Sequence, residues 1–180
     1  ILNAGAYGYN VAIGHEAGLA MTTGTMNTVV GGRAGDALTT GTYNTAFGID
    51  ALSAEDAGSG NTAIGALSLA QQDAGANAYN TAVGHKAGYA VSTGVNNTII
   101  GGLAGDALTT GTANTAVGYQ ALTTEDAHGY NTALGYRALH TLDAGVNGNN
   151  TAVGADAGLQ MTTGVENTIV GALAGDALTT

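Results

Sequence analysis

Histidine is the first residue type in this chain whose spacing suggests metal chemistry. His15 and His85 occupy equivalent positions 70 residues apart, and His128 and His140 complete the set. If the chain repeats at the spacing of paired strands, 70 residues correspond to four repeats, or roughly 19 Å. That distance is too great for both imidazoles to ligate one ion within a chain, although they could meet across a three-fold axis of chains. We therefore expect no metal ligands among the histidines of one chain.

Carboxylates offer oxygen ligands for calcium at two kinds of position. The pairs Glu55-Asp56 and Glu125-Asp126 lie in predicted turns. The run Gly31–Leu38 is similar to the calcium-binding nonapeptide Gly-Gly-x-Gly-x-Asp-x-U-x, but it has Ala34 at the fourth position, where the motif has its third glycine. The Asp of this run, Asp36, recurs only four repeats later, at Asp106, and not in every turn as in the calcium-binding motif. We expect no cofactor, and calcium binding at the acidic turns is the minor alternative to a solvated acidic edge.

Motifs for catalysis are missing from the sequence. There is no Gly-x-Ser-x-Gly nucleophile motif, no Gly-Lys-Ser/Thr phosphate loop and no His-Glu-x-x-His zinc motif. We therefore predict a protein that is not an enzyme, with no catalytic and no cofactor-binding residues.

Three further residue types suggest binding or modification. A column of threonines on a flat solenoid face is a feature that binds ice, and Thr28 and Thr45 begin such a column. Exposed tyrosines stack on sugars or pack between chains, and we favour packing between chains. Asn96 and Asn149 head formal N-glycosylation acceptor sites.

A repeat of 17 to 19 residues organises all of these side chains. The repeating unit, here called a rung, begins at an Asn, and the spacings run 17, 17, 17 and 19 before they recur as a 70-residue super-repeat. We divide the chain into a partial rung at 1–9, super-repeats at 10–79 and 80–149, and a partial super-repeat at 150–180, together one continuous array. Because the first and last segments are partial rungs, we expect a window of a longer array. The signature residues are Asn10, Asn27, Asn44, Asn61, Asn80, Asn97, Asn114, Asn131, Asn150 and Asn167.

Places within a rung are numbered here from that Asn. Place 2 is almost always Thr, place 3 is Ala, Val or Ile, and place 5 is always Gly. Place 4 is always large and apolar, so we predict that places 2 and 4 of a first short strand point inward, with a second short strand and two turns completing the rung. Asn at place 1 tolerates left-handed backbone angles and stacks from rung to rung through hydrogen bonds. The place-4 residues are Ile13, Val30, Phe47, Ile64, Val83, Ile100, Val117, Leu134, Val153 and Val170.

Composition excludes several classes of partner. The chain carries 13 acidic and 3 basic residues, a net charge of −10, which repels nucleic acids and anionic membrane surfaces. With 31 Gly and neither Pro nor Cys, it has no disulfide framework and many tight turns. Glycines in nearly every rung disfavour helices, and no apolar run is long enough to insert into a membrane. These features predict an all-β, parallel β-solenoid, stacked rung on rung.

The runs Asn114-Thr-Ala-Val-Gly-Tyr-Gln-Ala-Leu122 and Asn131-Thr-Ala-Leu-Gly-Tyr-Arg-Ala-Leu139 resemble repeats of phage tail-fibre and tail-fibre-like surface proteins. They are also similar to the Ala-Ile-Gly repeats in the heads of trimeric autotransporter adhesins. The resemblance implies a left-handed parallel β-roll with three chains around one axis, which attaches a particle or cell to a surface.

Together these observations predict a non-catalytic structural module, the rigid shaft of an extracellular fibre or filament. Its expected partner is itself, as a homotrimer or helical filament, with surface glycans as a further partner. Its expected location is extracellular, on a cell surface or a virion. The alternative function is an ice-binding or glycan-binding β-solenoid.

Overall fold

The computed structural model describes residues 8–180, which contain ten short strands and no helix, and hence no helix able to cross a membrane. One strand begins at place 2 of every rung. In chain order β1 to β10 are Val11–Ile13, Thr28–Val30, Thr45–Phe47, Thr62–Ile64, Thr81–Val83, Thr98–Ile100, Thr115–Val117, Thr132–Leu134, Thr151–Val153 and Thr168–Val170.

All ten strands form one parallel sheet in sequence order, β1 beside β2 and so on to β10. Each strand pairs with the next in register with the repeat, so that Thr45 faces Thr62 and Phe47 faces Ile64. Every rung therefore stacks on the one before it, which confirms the predicted all-β parallel solenoid. Nine spacings of about 4.8 Å give a sheet about 43 Å long.

The predicted inward orientation of places 2 and 4 is wrong, because place 3 faces the core. Ala46, Ala116 and Ile99 at place 3 are fully buried, whereas Phe47 at place 4 is 55% exposed. The interior beneath the strands is narrow, and a small Ala fills it in most rungs. Alternation along a strand then places the larger residues of places 2 and 4 outside.

The rest of the core comes from places 8, 9 and 12. Place 8 is a small residue in every rung, and it is buried in most of them. Six rungs have Gly at place 9 and a large side chain at place 12, as in Gly35 with the buried Leu38. The other four have a buried Leu at place 9, for example Leu52 and Leu69. One large apolar side chain is thus supplied from either place in nine of the ten rungs, and three of the Leu rungs have a buried polar residue at place 12. The fourth Leu rung also buries Leu142 at place 12.

The second strand predicted for each rung is absent from residues 8–180, where the rest of the rung is turn and bend. Rung-to-rung hydrogen bonds continue there, as from Thr22 N–H to the carbonyl of Thr39 at 3.0 Å. The sharp corner after each strand depends on the place-5 glycine, for which Gly118 has a φ of 139°. At that angle a residue with a Cβ is strained.

Candidate functional site

The outer face of the sheet carries a continuous row of apolar side chains, here called the apolar stripe, which consists of the ten place-4 residues. Ile13, Phe47 and Val170 are 60%, 55% and 68% exposed. The least exposed members, such as Val83 and Val117, are still half-buried. Sequence reasoning found these residues and their stacking but placed them on the wrong side of the strand.

A column of threonines runs beside the apolar stripe, because place 2 faces the same way as place 4. Its members from Thr28 to Thr168 are half-buried or exposed. The strands contain only Thr, Ala, Val, Ile, Leu and Phe, so the face carries no charge. The outer face is therefore a flat, uncharged surface whose pattern recurs at every rung.

This face is large for an exposed apolar surface. A strip about 43 Å long and about 10 Å wide, the length of a three-residue strand, covers roughly 400 Å² of apolar stripe and threonine column together. The largest apolar patch of an ordinary monomeric protein is of about this size. Ile49, Tyr119 and Tyr136 at place 6 extend it around the glycine corner, and they are 61%, 47% and 49% exposed. The two tyrosine rings stack with their centroids 5.8 Å apart. An exposed apolar surface of this size is a candidate binding surface.

The signature asparagines form a buried ladder behind the sheet. The Oδ1 atom of Asn80 accepts the backbone N–H of Asn97 at 2.8 Å, and the Nδ2 of Asn97 donates to the carbonyl of Gly111 at 2.8 Å. The side chains therefore bond to backbone groups and not mainly to one another. None of the ten signature Asn residues has a positive φ, contrary to our expectation, because the preceding residue takes it, as Tyr43 does with φ 60°.

The 19-residue rungs each lack one hydrogen bond of this ladder, although Oδ1 of Asn61 still accepts the N–H of Asn80 at 3.1 Å. The Nδ2 atoms of Asn61 and Asn131, which begin those rungs, are buried and have no hydrogen-bond partner among residues 8–180. In seven of the other eight rungs this nitrogen donates to the carbonyl 14 residues onward, as Asn27 does to Gly41. The two extra residues in the longer rungs shift that carbonyl away.

Two clusters at the turns bring acidic side chains together. The carboxylates of Glu55, Asp56 and Asp73 offer ligand atoms within 4.8 Å of one another. The equivalent second cluster adds an imidazole and consists of Glu125, Asp126, His128 and Asp143. In it the Nδ1 of His128 lies 2.9 Å from Oε1 of Glu125. These atoms could hold a cation, and calcium binding there stays a prediction.

The glutamates of these clusters are fully buried, which the sequence alone did not indicate. A signal was present, because Glu55 and Glu125 stand at place 12, where most rungs have a core residue. Oε1 of Glu55 accepts the N–H of Gly58 at 2.7 Å, and Oε2 accepts the N–H of Ala74 at 3.4 Å. Burial nevertheless raises the pKa of Glu55, because desolvation outweighs those two hydrogen bonds.

We expect the free energy of unfolding to fall as the pH rises from about 4.5 toward neutrality. Burial raises the pKa of Glu55 above its ordinary value of 4.5, and it also raises the pKa of Asp36 and Asp106 above 3.8. A raised folded-state pKa favours the protonated carboxyl, so this stabilisation is complete below the unfolded pKa and is lost as the pH passes through the folded one. Urea unfolding across this pH range measures the slope.

The matched variant is Glu55→Gln, which copies the buried Gln72 at place 12 of the next rung. It removes one titrating group and should flatten the pH dependence, while repulsion from the net charge of −10 persists in both proteins. A parent chain whose stability increases with pH over this interval would contradict the assignment.

The remaining predicted residues lie on the surface and are not brought together. The side chain of His15 is 82% exposed, and His85, four rungs away, is also outside the core. Asn96 and Asn149 end their rungs with exposed side chains, so glycosylation of either stays a prediction. Tyr43 and Tyr130 also end rungs and are 64% and 54% exposed.

Comparison of the chain with protein-family models, with curated proteins and with solved structures gave no match.

Proposed function

We propose that this chain is a non-catalytic structural module whose solenoid assembles with copies of itself into a rigid extracellular fibre or filament shaft. The observation that carries the proposal is the apolar stripe on the outer face of the sheet. A second copy would remove it from water, at about 25 cal/mol for each Å² of apolar surface buried. The resemblance to tail-fibre and adhesin repeats supports the same conclusion, including a location on a cell surface or virion.

A second copy fits this face better than an unrelated protein does. Another solenoid of this sequence has the same spacing of about 4.8 Å between rungs, so its Thr and apolar columns can interlock along the whole length. The stripe carries no charge, whereas the chain's net charge of −10 opposes close approach elsewhere. The roughly 400 Å² of the stripe and threonine column together is about half of what each partner buries in a standard interface, and the neighbouring Ile49, Tyr119 and Tyr136 add to it.

The geometry suits a homotrimer around one axis or a side-by-side filament. In the trimer each chain turns its stripe toward the axis, and uncharged columns of Thr and Val, Ile, Leu or Phe form the centre. Stiffness then comes from backbone hydrogen bonds that run along the rod in every rung, such as Gly31 N–H to Ile13 carbonyl at 2.8 Å.

Analytical ultracentrifugation of the intact chain tests the proposal. We expect the parent to sediment as an oligomer and the triple variant Phe47→Lys, Ile100→Lys, Leu134→Lys to sediment as a folded monomer. The control carries lysines at the exposed Thr40 and Thr93, off the sheet face. A parent that stays monomeric at high concentration, or a triple variant that still assembles, would refute the proposal.

Ice binding by a single chain is the second candidate function, favoured by the outward threonine column. Thr hydroxyls and apolar groups recur together on a flat, uncharged face, an arrangement that can order water into a lattice. Thermal hysteresis of the monomeric parent would favour this function. The triple lysine variant should lose that activity, while the Thr40 and Thr93 control should keep it.

A further inference from the structure

A groove with a volume of about 330 Å³ lies away from the sheet face, on the side of the solenoid formed by places 7 to 11 of four consecutive rungs. We call it the polar trough and define it by Arg33, Asp36, Asp50, Ser53, Gln71 and Tyr89. Neither the apolar stripe nor the acidic turns include any of these residues. The trough therefore requires its own explanation.

The size of place 10 in successive rungs creates the trough. This place is Asp36, Ser53, Ala70 and Tyr89 from the second rung to the fifth, so two small residues form a floor between two larger ends. The trough spans the three rung steps from Asp36 to Tyr89, so it is about 14 Å long and runs parallel to the solenoid axis. In the second super-repeat, the residue equivalent to Ala70 is His140. Its imidazole therefore occupies the position that corresponds to the open floor of the trough.

One end of the trough presents charged groups with both donors and acceptors. Arg33 Nη2 lies 2.6 Å from Asp50 Oδ1, and the side chain of Arg33 is 56% exposed, so its other N–H groups face solvent. Oδ1 of Asp36 is buried without a hydrogen-bond partner among the described residues. Asp106, the equivalent of Asp36 in the second super-repeat, has the same unpaired oxygen. The feature specific to this end of the trough is therefore the Arg33–Asp50 pair beside Asp36.

The floor and the far end complete the lining. Ser53 Oγ donates to the carbonyl of Ala70 at 3.2 Å and keeps lone pairs to accept, and Gln71 presents an exposed amide. Tyr89 offers a half-buried ring, with Lys86 Nζ 5.5 Å from its centroid. The trough thus joins charge-assisted hydrogen bonds at one end to aromatic surface at the other.

This chemistry excludes several classes of ligand. A peptide strand cannot add to the floor, because its backbone groups are paired between rungs, as Ala54 N–H to Ala70 carbonyl at 3.2 Å. An anion would be repelled by the carboxylates of Asp36 and Asp50, which outnumber the one guanidinium, and a cation would be repelled by Arg33. Neutral hydroxyl groups both donate and accept, so they match the mixed lining without burying an unpaired charge.

We propose that the polar trough binds a neutral saccharide chain, which lies lengthwise along the solenoid. Vicinal hydroxyls pair with Arg33 and Asp50 at one end. The apolar face of a sugar ring packs against Tyr89 at the other, and Gln71 contacts the hydroxyls between them. The ligand contacts one chain and leaves the sheet face free.

The later copies of the repeat supply variants that the fold already tolerates. Ala70→His fills the trough with the residue found at the equivalent place, and Arg33→Leu and Tyr89→Leu copy Leu103 and Leu159. His140→Ala is the comparison variant, since it shortens the equivalent residue where Leu103 and Gln120 stand in place of Arg33 and Asp50. The Arg–Asp pair of that region, Arg137 with Asp156, lies at its opposite end. All four variants lie outside the sheet face, so assembly should not change.

The experiment applies the intact chain to an array of neutral and sialylated oligosaccharides, followed by calorimetric titration with the best neutral binder. We expect a neutral saccharide to bind the parent and His140→Ala alike, and affinity to fall about tenfold or more in Ala70→His, Arg33→Leu and Tyr89→Leu. No binding, binding of sialylated glycans only, or equal affinity in Ala70→His would overturn the proposal. Sedimentation of the same samples reports on assembly separately.

Discussion

Replacing Gly118 with Ala is expected to disrupt the rungs on both sides of the substitution. The φ of Gly118 is 139°, and an added Cβ would collide with the carbonyl oxygen of Gly135 in the next rung. Backbone in such a region costs a residue with a side chain about 1–3 kcal/mol, and the collision with backbone adds to that because backbone cannot rotate away. Separating the rungs would then break the hydrogen bonds between them.

Urea unfolding followed by circular dichroism measures the effect, for which we expect a loss of at least about 3 kcal/mol. Gly32→Ala is the matched control, since a Cβ there would meet no atom within 4 Å and its φ is not positive. That control should be neutral or stabilising by up to about 1 kcal/mol. A Gly118→Ala protein as stable as Gly32→Ala would show that the corner does not need glycine.

The second large effect is expected from Ala116→Asp, the variant that tests which face of the strand is buried. Ala116 is fully buried, and the residues that face it in the two neighbouring strands are Ile99 and Ala133. Both neighbours are apolar, so a carboxylate at position 116 would lose its water without gaining a partner. We expect a loss of about 4 kcal/mol or more in the free energy of unfolding, measured by urea unfolding.

The comparison variant is Val117→Asp, one residue along the same strand. Val117 lies on the outer face and is half-buried, so its carboxylate would stay in contact with water. At concentrations where the chain is monomeric, we expect this variant to remain folded and to be clearly more stable than Ala116→Asp. The opposite order of stability would restore the inward orientation that the sequence suggested.

The period of the sequence was enough to predict the solenoid. Ten Asn residues at spacings of 17 and 19, each followed by a three-residue β-prone run and a Gly, predict one strand per rung in a fixed register. The strands begin at place 2 in all ten rungs. Glycine at place 5 correctly indicated a sharp corner, because a φ such as that of Gly118 is open only to glycine without strain.

The direction of the side chains could not be predicted in the same way. Size suggested that Phe47 or Ile64 belongs inside and Ala46 outside, but a narrow solenoid has room for little more than Ala beneath each strand. The spacing between the sheet and the opposite wall decides the matter, and this spacing depends on Leu38, Leu52 and their equivalents across the core.

The candidate sites were predictable only in part. The acidic pairs were visible as neighbours in sequence, whereas Asp73 joins Glu55 and Asp56 only through stacking of the next rung. The polar trough brings together residues from Arg33 to Tyr89, and four rungs must be in register before it exists. Contacts of that kind depend on the side-chain sizes at one place in successive rungs.

The exchange of the large core residue between places 9 and 12 has a consequence for how such arrays diversify. A rung with Gly35 and Leu38 cannot lose its Leu alone without leaving a cavity, and it cannot gain a Leu at place 9 alone without overfilling the core. In the 17-residue rungs the two places therefore change as a pair, whereas the 19-residue rung of Leu139 buries a second Leu at place 12. Once Leu occupies place 9, place 12 can hold a buried polar residue such as Glu55 or Gln72, whose side chain is stabilised by hydrogen bonds to backbone groups. Each rung can therefore acquire a new polar side chain at place 12 independently of the other rungs.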